Sequence, residues 1–415
     1  MHEQLMEAVV SAENLERALR AVVRNKGAAG VDKMTTAELA EHFAAHRESI
    51  VAKLVAGRWT PTPVKRVEIP KPGGGVRRLG IPTVMDRLIQ QALLQVLGPI
   101  FEEGFSESSY GFRAGRSARD AVRRAQRYVE EGKGWVVDID IERFFDTLDQ
   151  DLLMARVAEV IRDKRILKLI GRYLRAGVLV GAEWEPSKAG TPQGGPLSPL
   201  LGNIYLDPLD HELEGRGLSF CRYADDCNIY VGSEAAAERV EASISEWIER
   251  RLRLRVNRAK SGRGRPWERQ FLGFAIDREG RIELAERSLQ RYKRKVRELW
   301  RGGQALTSTQ LRDRWRSWLQ GWWGYYRLAE NRRRLLWLEG WTRRHIRKCF
   351  WLRWHDMAGR KNALWKLGVS ERLLRVAATR RGSWFMSRNA VMQQGLSNAR
   401  LKRHGFLVPS QLASG

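Results

Sequence analysis

The chain has 415 residues, 43% of them hydrophobic, with 74 Lys and Arg against 48 Asp and Glu for a net charge of +26. This length supports two or three domains, and this apolar content excludes a disordered chain. No apolar run is long enough to cross a bilayer as a helix, and the charge puts nucleic acid ahead of neutral or acidic partners.

The segment from about 1 to 65 is predicted to be mostly helical, opening on an acidic amphipathic helix rather than a signal peptide. Glycines in "NKGAAGVDKMT" break it and "TPTP" at 60–63 closes it. Two β-prone runs flank Pro-Gly-Gly-Gly in "VKRVEIPKPGGGVRRLGIP" (64–82), which predicts a hairpin. Thr83 and Asp86 fit a capping pair for the helix that follows. A helix near 117–131 precedes the strand "WVVDIDI" (135–141), and a helical stretch covers about 149–176. The loop "AGTPQGGPLSP" (189–199) opens another helix. After it come "CRYADDCNIY" (221–230), a helix near 234–253, and short strands in "FLGFAID" and "RIEL". From 288 onward the chain reads helical, with breaks at "RGGQ", Gly340 and "MAGRKN". Cys221, Cys227 and Cys349 have no metal-ligand spacing and cannot all pair, which fits a reducing cytosol.

The charge is concentrated. Residues 287–415 hold 30 Lys and Arg against 6 Asp and Glu, and 11 of the 16 Trp; residues 1–286 hold 44 against 42. Such a segment would repel itself without a polyanion nearby. Leu311, Trp315, Trp318 and Trp322 share one helical stripe, so these rings are expected to be buried and the arginines between them to face outward at phosphates.

Two adjacent carboxylates, Asp225 and Asp226, interrupt β-prone sequence. Held about 4 Å apart they repel by roughly 4 kcal/mol at an effective dielectric near 20. They can converge only near a turn, so a hairpin tip is expected. In "WVVDIDIERFFD", Asp138 and Asp140 share one strand face, an unfavourable use of Asp in so apolar a run. A carboxylate strand beside a carboxylate hairpin makes a site for two hard divalent cations, which would offset the repulsion.

The ordered set "IPKPGGGVRRLGIPTVMDRLIQQAL", "SSYGFRAGRSARDA", "DIERFFD", "GTPQGGPLSPLLGNIYL", "YADD", "LRVNRAKS" and "FLGF" resembles the successive blocks of reverse transcriptases. "NKGAAGVD" and "GWWGYY" narrow the resemblance to the reverse transcriptase/maturase of mobile group II introns. The resemblance implies an α+β right-hand polymerase with a small antiparallel sheet, then an α-helical thumb and a basic helical segment. Its divisions are fingers and palm over 1–286, thumb or maturase domain over 287–365, and a DNA-binding segment over 366–415. Many relatives carry a further Cys/His zinc nuclease domain, whereas here no Cys lies beyond Cys349. The chain thus resembles the compact endonuclease-less members, which are expected to use primers at existing nicks or replication forks.

Carried over motif by motif, the resemblance makes Asp140, Asp225 and Asp226 the magnesium triad. Asp138 is the rival of Asp140, and the Ile141 carbonyl is a further ligand. Two Mg2+ ions are implied, with Mn2+ as a substitute. Phe145 is implied as a steric gate against the 2′-hydroxyl. Lys71 and Arg77 clamp the incoming triphosphate. Gln193 and Ala224 lie against the nucleotide, Arg113 and Arg116 near the template, and Lys260 protonates the leaving pyrophosphate. The implied partners are an RNA template with DNA primer, deoxynucleoside triphosphates, intron RNA and target DNA, with no membrane and a cytoplasmic, nucleoid-associated setting in a bacterium. Two alternatives stay open: a splicing cofactor whose polymerase activity is dispensable, and a reverse transcriptase recruited to defence or DNA repair.

Overall fold

A computed structural model describes residues 4–70, 76–181, 183–187, 189–192, 194–302, 305–377 and 381–412. The chain forms two compact units, residues 1–265 and 266–415, which meet before the charge change at 286.

The first unit begins with helices Leu5–Val10, Ala12–Asn25 and Leu39–Val55. The hairpin strands are Val64–Pro70 and Val76–Ile81, in register from Lys65↔Ile81 to Pro70↔Val76. The next helix, Val84–Glu102, starts as its sequence requires: the Thr83 hydroxyl accepts from the Asp86 amide at 3.1 Å and donates to the Asp86 carboxylate at 2.9 Å. Ala118–Glu130 is likewise opened by a Ser117–Asp120 capping box.

The stretch 149–176 is two helices, Gln150–Val160 and Lys164–Arg175. Asp163 causes the break. Its buried carboxylate accepts from the Arg165 amide at 2.9 Å and from the Leu5 and Met6 amides at 3.0 Å, so it caps its own helix and the N-terminal one together.

Two four-stranded sheets organise this unit. One has the order 219–223, 226–231, 135–139, 262–264 and is antiparallel throughout. Its apolar face is set by the alternation in the strand Trp135–Ile139, where Val137 and Ile139 are buried against the large core. The other has the order 76–81, 64–70, 178–180, 183–185. It joins Val64 to Val178 in parallel, a pairing that no local pattern announces.

In the second unit the hairpin Phe274–Ile276/Ile282–Leu284 precedes helices Glu286–Leu299, Ser308–Tyr326, Arg332–Arg353 and Met357–Lys366, with shorter helices beyond. The tryptophan stripe is partly inward. Leu311 and Trp315 are buried, while Trp318 and Trp322 are half-buried around Tyr292. Two expected breaks are not there. The helix Arg332–Arg353 runs through Gly340, where the lack of a side chain costs about 1 kcal/mol and interrupts nothing. "MAGRKN" opens a helix instead of breaking one, because the Asp356 side chain accepts from the Gly359 amide at 2.7 Å. Among the described residues no helix is long and apolar enough to cross a membrane.

His345 is buried between Trp341 and Trp384, with ring centroids 4.2 and 4.9 Å away. Burial, followed by the charges of Lys348, Arg297 and Arg344, lowers its pKa from 6.5 to about 4. As pH falls below 6.5 the unfolded chain binds this proton before the folded one, so stability is full above that range and declines towards pH 4. Thermal melts should lose about 2 kcal/mol from this residue between pH 7 and pH 5. His345→Gln should flatten that slope, and an unchanged slope would assign the acid sensitivity elsewhere.

Candidate active site

The candidate site is built on three neighbouring strands. The register between 135–139 and 226–231 runs from Trp135↔Val231 to Ile139↔Cys227. One residue further along, Asp140 comes opposite Asp226. The hairpin pairs Tyr223 with Asp226 across a two-residue turn, Ala224–Asp225. Ala224 has φ 56°, the left-handed region that a tight hairpin needs at its first turn position. Asp140, Asp225 and Asp226 are thereby gathered at one end of the sheet. Asp138 lies deeper, opposite Asn228 on one side and Gly262 on the other.

Their electrostatics bear out this proximity. The pKa of Asp226 is pushed up to about 6 by desolvation, then by the Asp225 and Asp140 charges, with Lys260 opposing. Asp226 also reaches the surface, so solvent lessens both the burial cost and the repulsion. Lys260 Nζ lies 3.6 Å from Asp140 Oδ2. The Asp140 backbone is fixed from the neighbouring segment. Its amide donates to Ser261 Oγ at 2.9 Å, and its carbonyl accepts from the Asn257 amide at 2.8 Å. Ile141 is buried and bridges to Val256.

Among the described residues no group of three or more His, Cys, Asp or Glu side chains is arranged to hold a metal ion as it stands. The donor set nonetheless fits divalent cations, since every side-chain ligand is a hard oxygen and the raised Asp226 pKa marks negative charge short of compensation.

Phe145 lies in the short helix Phe144–Thr147, edge-on to Phe144 at 4.9 Å. A glycine loop braces it. Gly190 has φ 76°, and a Cβ there would sit 2.6 Å from the Phe145 carbonyl oxygen. The Thr191 amide donates to that same oxygen at 2.8 Å. Gln193 and Lys71 lie outside the described residues, and so does the Arg77 side chain; the Arg77 backbone pairs with Ile69.

Arg116 is half-exposed, with Nη2 2.6 Å from the Glu107 carboxylate. Arg113 is buried, paired with Glu102 at 2.8 Å, and donates to the Ser109 carbonyl at 2.9 Å and to the Ser106 carbonyl. A guanidinium with so many internal acceptors shapes its own loop.

Two features escaped the sequence reading. The first is Arg222, whose five N–H donors are all used. It reaches Asp210 at 2.6 and 2.5 Å, Asn203 at 3.1 Å, Ser109 at 2.9 Å and the Ala224 carbonyl at 3.0 Å. Gly111 completes this support, because a Cβ there would meet the Ala224 nitrogen at 2.3 Å. The second is Phe112, 56% exposed at φ 59° and 6.3 Å from the Tyr223 ring. Its signal in the sequence was an aromatic following the glycine of "YGFR".

The family description "Reverse transcriptase (RNA-dependent DNA polymerase)" matches residues 69–276, and "Group II intron, maturase-specific domain" matches residues 289–368. The chain is similar to Protein YkfC of Escherichia coli (strain K12), 32% identical over 299 residues, 62% of this chain and 78% of that one. It is similar to Group II intron-encoded protein LtrA of Lactococcus lactis subsp. cremoris, 39% identical over 188 residues, 45% of this chain but 31% of that one. Among solved structures, a partial Cas6-RT-Cas1–Cas2 complex is 25% identical over 60% of this chain and 43% of that chain, with a TM-score of 0.38.

Proposed function

Since the chain belongs to the reverse transcriptase family and carries a group II intron maturase-specific domain, we propose that it extends a DNA primer on an RNA template at Asp140, Asp225 and Asp226, and binds intron RNA to assist splicing. The single observation that supports the site is the strand register that sets Asp140 opposite Asp226 beside the Asp225 turn. Two divalent cations, magnesium with manganese as a substitute, would supply Lewis-acid stabilisation of the entering and leaving oxygens. The three carboxylates and the Ile141 carbonyl would hold them.

The remaining work falls to the chain's own groups. Lys260, 3.6 Å from Asp140, would donate a proton to the departing pyrophosphate. Lys71 and Arg77 bind the triphosphate oxygens, and Gln193 and Ala224 border the nucleotide. Arg116 and the exposed Phe112 ring would contact the template and the nascent pair, while Arg113 supports their loop.

Phe145, fixed by Gly190 and Thr191, excludes a 2′-hydroxyl beneath the sugar. Phe145→Ala should relax discrimination against ribonucleotides by roughly ten- to a hundredfold in competition assays. Unchanged selectivity would remove the gate. The test of the whole reading is primer extension on a primed RNA template, which should proceed with magnesium and stop when the metal is chelated. No extension by folded protein would overturn it.

A further inference from the structure

The second unit carries a row of aromatic and cationic side chains that lies apart in sequence from the residues assigned above to nucleotide transfer. On the helix Arg332–Arg353, Trp337, Trp341 and His345 recur every four residues and so line one side. From the helix Glu286–Leu299, Lys293 sits 5.1 Å from the Trp337 ring centre and Arg297 5.4 Å from that of Trp341. The row continues through His345 to Trp384, which Arg344 covers at 3.7 Å. The two end rings stand in water, Trp337 58% and Trp384 38% exposed.

The cations of this row differ from their neighbours. Lys295 pairs with Glu298, Arg334 with Glu283 and Glu286, and Arg343 with Glu339. Lys293, Arg297 and Arg344 pair with no carboxylate among the described residues. Exposed indoles and cations without a carboxylate partner in one row are both satisfied by a polyanion that presents flat apolar faces. A duplex offers the charge but hides its base faces, and an acidic protein surface lacks such faces.

We propose that this aromatic–cation ladder binds an unpaired stretch of RNA, its bases stacking on Trp337 and Trp384 and its phosphates following Lys293, Arg297 and Arg344. This rests on the reading of the chain as an RNA-binding reverse transcriptase and names where and in what form the RNA is held. From Trp337 to His345 the ladder rises about 12 Å. That accommodates three or four stacked bases at roughly 3.4 Å each.

The test uses the full chain, a labelled oligouridine of about 12 nucleotides and a blunt RNA duplex of the same length, with anisotropy read at several salt concentrations. Trp337→Ala with Trp384→Ala should weaken oligouridine binding roughly tenfold or more and leave its salt dependence and the duplex affinity as they were. Lys293→Gln, Arg297→Gln and Arg344→Gln together should lower the salt slope by about 2. An unchanged melting midpoint of each variant certifies its fold. Wild-type affinity in the double Trp variant, or equal loss on oligouridine and duplex, would overturn the proposal. So would loss of binding to phosphatidylglycerol vesicles with RNA binding intact, which would make the face a membrane contact. If the wild-type chain bound neither RNA nor extended a primer, the underlying reading would fail as well. If it extended primers while the Trp variant bound as before, the ladder alone would fail.

Discussion

Replacing Asp225 and Asp226 together by Ala should lower cDNA synthesis by at least about a thousandfold and leave assisted intron splicing largely intact. Removing the turn carboxylates forfeits the means to hold cations whose transition-state stabilisation is worth several kcal/mol, and each 1.36 kcal/mol is tenfold in rate. The substitution should not unfold the protein. It relieves the like-charge repulsion that adds to burial in raising the Asp226 pKa to about 6, and Arg222 still holds the Ala224 carbonyl of the turn. Primer extension, a melt and a splicing assay on the same preparation separate the effects. If splicing fell in step with polymerisation while fold and RNA affinity survived, the two roles would not be separable.

Arg222→Ala should cost roughly 3–5 kcal/mol of stability, because it strands the fully buried Asp210 carboxylate. Arg222→Met with Asp210→Leu should recover most of that loss, since a buried pair replaced by apolar side chains is often near neutral. Polymerisation should not recover with it. The Ala224 carbonyl would still lack its donor and the Asp225 turn its anchor, so at least about a tenfold deficit and a raised magnesium requirement should persist. Stability by denaturant titration and extension rate against magnesium concentration read these two quantities independently. Full activity in the double variant would make Arg222 a purely structural residue.

Local rules made much of this legible. Thr83–Asp86 fixed a helix start, alternation in "WVVDIDI" fixed which face was apolar, and the adjacent Asp225 and Asp226 forced a turn. The ordered blocks supplied what no local rule could, the link between segments far apart in the chain. What stayed hidden depended on pairing between distant segments or on burial of charge. The parallel pairing of Val64 with Val178 has no nearby turn to announce it. The burial of Arg222, and of Arg113 that the resemblance set near the template, was not legible because burial of an arginine depends on a distant acidic or carbonyl partner, here Asp210 and Glu102. Gly340 read as a break because propensity is weak beside the packing of a long helix. The break at Asp163 was missed within the stretch 149–176, and its role in capping the helix at Leu5 appears only in three dimensions.

The central claim is that residues 140, 225 and 226 close on the same divalent ions. Iron(II) substituted for magnesium, with peroxide, generates hydroxyl radicals that cut the backbone beside the bound ion. Cuts are predicted at 140–141 and at 224–226 together, suppressed by excess magnesium and absent from the Asp225→Ala, Asp226→Ala protein. Cleavage at only one of these segments, or at neither, would contradict the account.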